Sequence, residues 1–295
     1  MFQQTIKKRV EVTGIGLHSG EPIKLTLEPL PINSGVIFIH ANSGTLLKLK
    51  PENISETKLA TVIGVKPNAI STIEHFLSAI YAYSIDNLKV TVYGNEMPVM
   101  DGSAISFCML LDEAGIVKQD AIKSIIVIKK EVKVEQDGKV AILKPSKKPI
   151  FNFKISFNHP VIGTQKFRYN FSKKSYIEDI ARARTFGFAR DIQYLQSINL
   201  ALGASLENAI GLDDKSILNP EGLRYKDEFV RHKILDAIGD MMLLGKQVVG
   251  EYVAVAASHE LNNKLTRKLL SSEDSYEIIK AKDYESAQEL VKVFA

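Results

Sequence analysis

The segment FVRHKILDAIGD, residues 229–240, sets His232, Lys233, Asp236 and Asp240 into an otherwise apolar stretch. On a helical wheel of about 100° per residue, Val230, Ile234, Ala237, Ile238 and Met241 form one stripe. The four ionisable side chains share an arc of about 100° on the opposite side with Phe229 and Leu243. A face that mixes large apolar groups with ions belongs to a helix packed on both sides, with the ions turned into a cleft. His232 and Asp236 are four residues apart and stack on adjacent turns, so an imidazole and a carboxylate can reach one metal ion. They can equally form a plain His–Asp pair beside a surface lysine. Two ligands do not complete a zinc site, so a third must come from elsewhere.

The segment STIEHFLSAIYAY, residues 71–83, offers one. Ile73, Phe76, Leu77 and Ile80 form its core stripe, and Glu74 and His75 lie on the other side with Ser78, Ala79 and Ala82. Those small residues let another element approach closely. A second reading stands beside this one: Ser71 and Glu74 fit a capping box, and a single helical histidine need not bind anything. Taken together, His75, His232 and Asp236 are a two-histidine, one-carboxylate set with a fourth position for water. That is the composition of a hydrolytic zinc site, in which water acidifies towards a pKa of about 7. Glu74 would take the remaining proton. His259 in AASHELNNK, just past a strand, and Thr185 in ARARTFGFARD are further candidates.

The elements that must hold these groups are legible in outline. The 295 residues are 45% hydrophobic and 24% charged, an ordinary globular composition large enough for two domains. A net charge of +4 permits an anionic small-molecule partner without demanding nucleic acid. The single cysteine, Cys108, excludes an internal disulfide. The opening MFQQTIKKRVEVTG has no apolar core of a secretory signal, and no apolar run approaches the roughly 20 residues of a membrane span, so the cytoplasm is expected. Strands are predicted at 23–30, 35–40, 87–94, 150–157 and 252–258, with a hairpin at Asp137-Gly138. Helices are predicted at 71–83, 107–114 (stopped by Gly115), near 175–184, 190–198, 226–244 and 284–293. Both halves run strands then helices, predicting two α+β layers with a boundary near 118–125. No sequence repeat is evident.

Six ordered motifs, TGIGLHSG, STIEHFLSAI, MDGSA, ARTFGF, NPEGLRYKDEFVRHKILDAIGD and SHELNNKL, span almost the whole chain. In these the sequence resembles the zinc-dependent UDP-3-O-acyl-N-acetylglucosamine deacetylases of lipid A biosynthesis. The resemblance implies one zinc ion on His75, His232 and Asp236, with Glu74 as general base. It implies His259 as the general acid that protonates the amine, held by Asp240, Thr185 as oxyanion stabiliser and Lys233 as a substrate contact. It implies two similar two-layer sheet/helix domains, 1–120 and 121–295, with facing helical layers and a small insert in each. The C-terminal insert is a β–α–β unit at about 186–212. Phe186, Ile192, Leu195, Ile198, Leu200 and Leu202 there could line an acyl passage or simply pack a helix. The expected substrate contacts are His18, Phe186, Ile192, Ala201, Ser205 and Lys233; His40 and His159 are expected to be structural. Family members can carry cysteine in the segment matching 55–64, where this chain has none.

The expected partner is a UDP-linked acylated sugar, with no nucleic acid and no membrane segment, and the chain is expected to be a monomer. A zinc amidohydrolase acting on another acylated amine is the nearest alternative. A non-catalytic RNA-binding α+β module is a further one, but its lysines should cluster with aromatics on a sheet face, whereas here they are scattered.

Overall fold

The computed structural model describes residues 1–285 and 287–294. Its first half contains strands β1 (Val10–Ile15), β2 (Pro22–Pro29), β3 (Val36–His40) and β4 (Thr45–Lys48), helix α1 (Glu74–Ala82), strand β5 (Leu88–Tyr93) and helix α2 (Ile105–Ala114). The second half contains β6 (Val132–Gln136), β7 (Lys139–Lys144), β8 (Ile150–Ser156), β9 (Thr164–Asn170) and α3 (Lys173–Asp179). There follow β10 (Phe186–Phe188), α4 (Ala189–Ser197), β11 (Ile210–Leu212), α5 (Glu228–Met241), β12 (Glu251–Val255), α6 (His259–Ser271) and α7 (Ala287–Phe294).

The two main sheets have the same topology. The first runs β1-β2-β5-β3-β4 and the second β6-β7-β12-β8-β9. In each, one central pair is parallel, β3 with β5 and β8 with β12, and all other pairs are antiparallel. A parallel pair needs a long crossover. That crossover carries α1 in one half and α5 in the other, and a further helix, α2 or α6, follows the returning strand. The topology therefore repeats where the amino acids do not. It is the α+β architecture expected.

The helical layers face each other. Helix α1 packs along α5, α5 rests on β8 and β9, and α6 covers β6 and β7. Every residue of α1 is buried, as is every residue of α5 except Arg231 and Lys233. The mixed face of α5 is thus explained by a second helix lying on it. Lys123 ties the layers at their far end. Its fully buried ammonium donates to Ser84 O at 2.7 Å and Gln247 Oε1 at 3.1 Å, and pairs with Asp86 Oδ2 at 3.0 Å.

Two small inserts approach the inter-layer cleft. In the first half, Ile54–Glu56 pairs antiparallel with Val62–Ile63. In the second, β10 and β11 are parallel and joined through α4, the expected β–α–β unit.

Several sequence expectations shift. The 226–244 helix ends at Met241 and continues as a 3₁₀ turn, Met242–Leu244, so Leu243 is not on the wheel of α5. The 175–184 helix ends at Asp179. The capping box of Ser71 and Glu74 does not form. Thr72 adopts a left-handed φ of 59°, which delays the helix so that Glu74 is its first residue and not its third. Helix α6 was not predicted. Its signals were present: Ser258 caps it by accepting from Leu261 N, and Leu261, Leu265 and Leu269 recur every four residues on its buried face.

Candidate metal centre

The centre forms where the first turn of α1 meets the middle of α5. Gly239 permits the meeting: a Cβ built there would lie 2.0 Å from Glu74 O. A backbone carbonyl cannot swing aside as a side-chain end can. Gly239→Ala is therefore expected to push the start of α1, with Glu74 and His75, off α5. The expected result is a stability loss of about 1–3 kcal/mol and metal affinity weakened by about tenfold or more. Thermal unfolding and chelator competition check both; wild-type values in the alanine variant would show that the close approach is not needed.

His75, His232 and Asp236 each offer a ligand atom, and all three atoms lie within 4.8 Å of one another. His75 Nε2 and His232 Nε2 are 3.5 Å and 3.4 Å from Asp236 Oδ1. That oxygen is buried and has no hydrogen-bond partner. A tetrahedral ion with ligands at about 2.0–2.1 Å has edges of about 3.3 Å, so the spacing and the orphaned oxygen both fit a small dication. The set is held from behind. His232 Nδ1 donates to Ala183 O at 3.1 Å, fixing its tautomer, and Lys233 Nζ donates to Asp236 Oδ2 at 2.8 Å.

Glu74 and His259 lie beside this set. Glu74 Oε1 is 3.8 Å from His259 Nε2, and Glu74 Oε2 accepts from Thr61 N at 3.0 Å. His259 opens α6, so its position depends on that unpredicted helix; Ala256, with a left-handed φ of 50°, turns the chain into it. His259 Nδ1 donates to Asp240 Oδ2 at 2.9 Å. Asp240 also accepts from Asn262 Nδ2 at 2.8 Å, and the Asn262 amide is in turn held by the Tyr252 hydroxyl.

Burial opposes charge throughout the site, and the partners decide which groups keep it. Burial pushes the His232 imidazole down to about 3, leaving it neutral as a metal ligand must be. Burial alone would raise Asp236, but the ammonium of Lys233, hydrogen-bonded to its Oδ2, helps hold its carboxyl well below the usual range. Burial works against the His259 imidazolium too, yet Asp240 and Glu74 lift it to about 9. Glu74 goes the other way: burial raises its carboxyl, only partly countered by His259 and His75.

A largely apolar cavity of about 360 Å³ opens next to the centre. Phe186 joins the two, its ring 6.2 Å from that of His232. Of the expected residues, His18, Thr185, Phe186, Ile192, Leu195, Ala201 and Ser205 line it. Ile198 and Leu202 do not: both are 46% exposed. Leu200 faces a neighbouring hollow with Ser19, Lys66 and Glu96. The turn after α4 rolls these three side chains away from the α4 face that carries Ile192 and Leu195. His18 bridges the halves, its Nδ1 accepting from Ala201 N at 3.4 Å and its own N–H donating to Glu96 at 2.8 Å. His40 and His159, expected to be structural, are hydrogen-bonded to Asn95 and to Asp213 O. Arg184, Arg224 and Arg231 are engaged by Glu228, Asp101 and Asp227. Thr61, Asn262 and the Ala183 carbonyl were missed; nothing in a lone threonine, asparagine or peptide group signals such a role.

An open three-ligand metal centre with a carboxylate and an imidazolium beside it, set between two helical layers, defines a metal-dependent hydrolase. The chain belongs to the UDP-3-O-acyl N-acetylglycosamine deacetylase family (LpxC), whose model matches residues 3–271. It is 58% identical over 295 residues to the UDP-3-O-acyl-N-acetylglucosamine deacetylase of Sulfurimonas denitrificans, covering 100% of both chains. The same-named protein of Campylobacter hominis is 55% identical over 295 residues, with 100% of both covered. That of Wolinella succinogenes is 57% identical over 295 residues, covering 100% of this chain and 99% of the other.

Proposed function

We propose that this chain hydrolyses the N-acetyl group of UDP-3-O-(3-hydroxyacyl)-N-acetylglucosamine, releasing acetate in an early committed step of lipid A biosynthesis. The observation that carries the reading is the convergence of His75, His232 and Asp236 beside Glu74, His259 and an apolar cavity. The ion proposed is a single zinc, which suits two imidazoles and one carboxylate. Bound on His75, His232 and Asp236, zinc would supply Lewis acidity to the acetyl carbonyl and to water.

The protein's own groups do the rest. Glu74, its Oε2 tied to Thr61, keeps Oε1 free to take a proton from the attacking water. The Thr185 hydroxyl, at the cavity edge, donates to the developing oxyanion. His259, charged at neutral pH through Asp240, gives its Nε2 proton to the nitrogen as the C–N bond breaks, leaving acetate and a free amine. Lys233 neutralises Asp236 and presents its remaining protons to the substrate. The cavity takes the acyl chain against Phe186, Ile192, Ala201 and Ser205, and His18 contacts the nucleotide side.

The domains are proposed as 1–120 and 121–295, a division supported by the repeated sheet topology. Because every ligand comes from one chain, a monomer is the proposed functional unit. A reducing compartment, the cytoplasm, suits the buried free thiol of Cys108. Among the described residues no helix is long and apolar enough to cross a membrane.

The test is acetate release from the UDP-linked acylated sugar, from the same sugar without its 3-O-acyl chain, and from simple N-acetylated amines. Turnover is expected to require both the nucleotide sugar and the acyl chain. Equal turnover of the simple amines would favour an amidohydrolase of different specificity.

A further inference from the structure

We infer that Thr61 is a positioning residue that sets both halves of the proton-transfer machinery at once. All three of its polar groups are engaged. Its N–H donates to Glu74 Oε2 at 3.0 Å, its carbonyl accepts from Ile73 N at 3.3 Å, and its hydroxyl donates to Asp240 Oδ1 at 2.7 Å. The first two contacts hold the start of α1. The third reaches across the chain to α5. Thr61 is 0% exposed, so water does not compete for any of them.

The consequence for Glu74 is that one carboxylate oxygen is fixed and the other is aimed at the cleft. The consequence for Asp240 is rotational. Its Oδ2 serves His259 Nδ1 and Asn262 Nδ2, and Oδ1 is held by Thr61. Without the hydroxyl the carboxylate can turn about its own axis, carrying Oδ2 away from the imidazole it orients. β-Branching confines the threonine χ1, so the hydroxyl stays aimed at Asp240 without an entropic search. The segment that supplies Thr61, between Glu56 and Val62, contributes no metal ligand. Its role is to couple the base and the acid across the two layers.

This inference rests on the roles proposed for Glu74 and for the Asp240–His259 pair. Its test compares Thr61→Val, which keeps the shape and backbone contacts but lacks the hydroxyl, with Thr61→Ser, which restores it. Glu74→Gln serves as the reference. For each, kcat, KM, bound zinc and thermal unfolding are measured on the full chain. Thr61→Val is expected to lose about tenfold or more in kcat, the weight of one hydrogen bond to a charged group, with KM and zinc content unchanged. Thr61→Ser is expected to recover kcat to within about threefold of wild type. Wild-type kcat in Thr61→Val, or no recovery in folded, zinc-loaded Thr61→Ser, overturns the role of the hydroxyl alone. Wild-type kcat in Glu74→Gln overturns the underlying assignment and this inference with it.

Discussion

Replacing His232 by alanine is expected to reduce deacetylation by about a thousandfold or more and to drop bound zinc well below one equivalent. His232 is 1% exposed and offers one of three protein atoms to the site, so an ion there cannot recruit a substitute from the surface. The loss also leaves the Ala183 carbonyl without its donor and Asp236 Oδ1 facing one imidazole in place of two. Chelation of the wild-type protein is expected to reproduce the loss, and added zinc to reverse it. Added zinc is not expected to rescue the variant at the same concentration. The measurements are acetate release and metal content on the same samples. Full activity in metal-free wild-type protein, or in the alanine variant, would falsify the metal assignment.

Glu74→Gln is expected to lower kcat by about a hundredfold to ten-thousandfold while zinc stays bound. Glutamine keeps the volume and can still accept from Thr61 N through its amide oxygen, so the start of α1 should hold. What disappears is the capacity to take a proton. The site's charge also changes, since Glu74 helps lift the His259 imidazolium to about 9. Asp240 is the larger contributor and remains, so His259 keeps a proton at neutral pH and the loss reports mainly on the base. The combination that matters is a collapsed kcat with stoichiometric metal. Lost metal alongside lost activity would instead place Glu74 in the structural support of the site.

Part of the centre was legible because chemistry and helical period coincide. His232 and Asp236 fall one turn apart on α5, and the ionic arc of that helix sits among apolar residues that no solvated face would carry. The small residues of α1 likewise announced a close neighbour. The passage walls were only half legible: Ile192 and Leu195 follow the period of α4, but Ile198 and Leu202 lie beyond its end, where wheel geometry no longer applies. The capping box failed for a similar local reason, the left-handed turn at Thr72. Helix α6 carried adequate signals in Ser258 and its leucines, but its exposed face is polar enough to dilute them.

From the sequence alone came the residue types, the helix-borne pairs, the alternation of strands and the ordered motifs that mark the family. Those properties are local, carried by a few neighbouring residues and by side-chain chemistry that does not change on folding. Tertiary structure decided the convergence: that His75, His232 and Asp236 come close enough to hold one ion, that Asp240 meets Thr61 across a separation of 179 residues, and that burial leaves His232 neutral while Asp240 and Glu74 keep His259 charged against it. Contacts of that range are set by how two sheets place their helices against each other, and a pKa is set by the dielectric and charges that packing brings near. No window of neighbouring residues contains either.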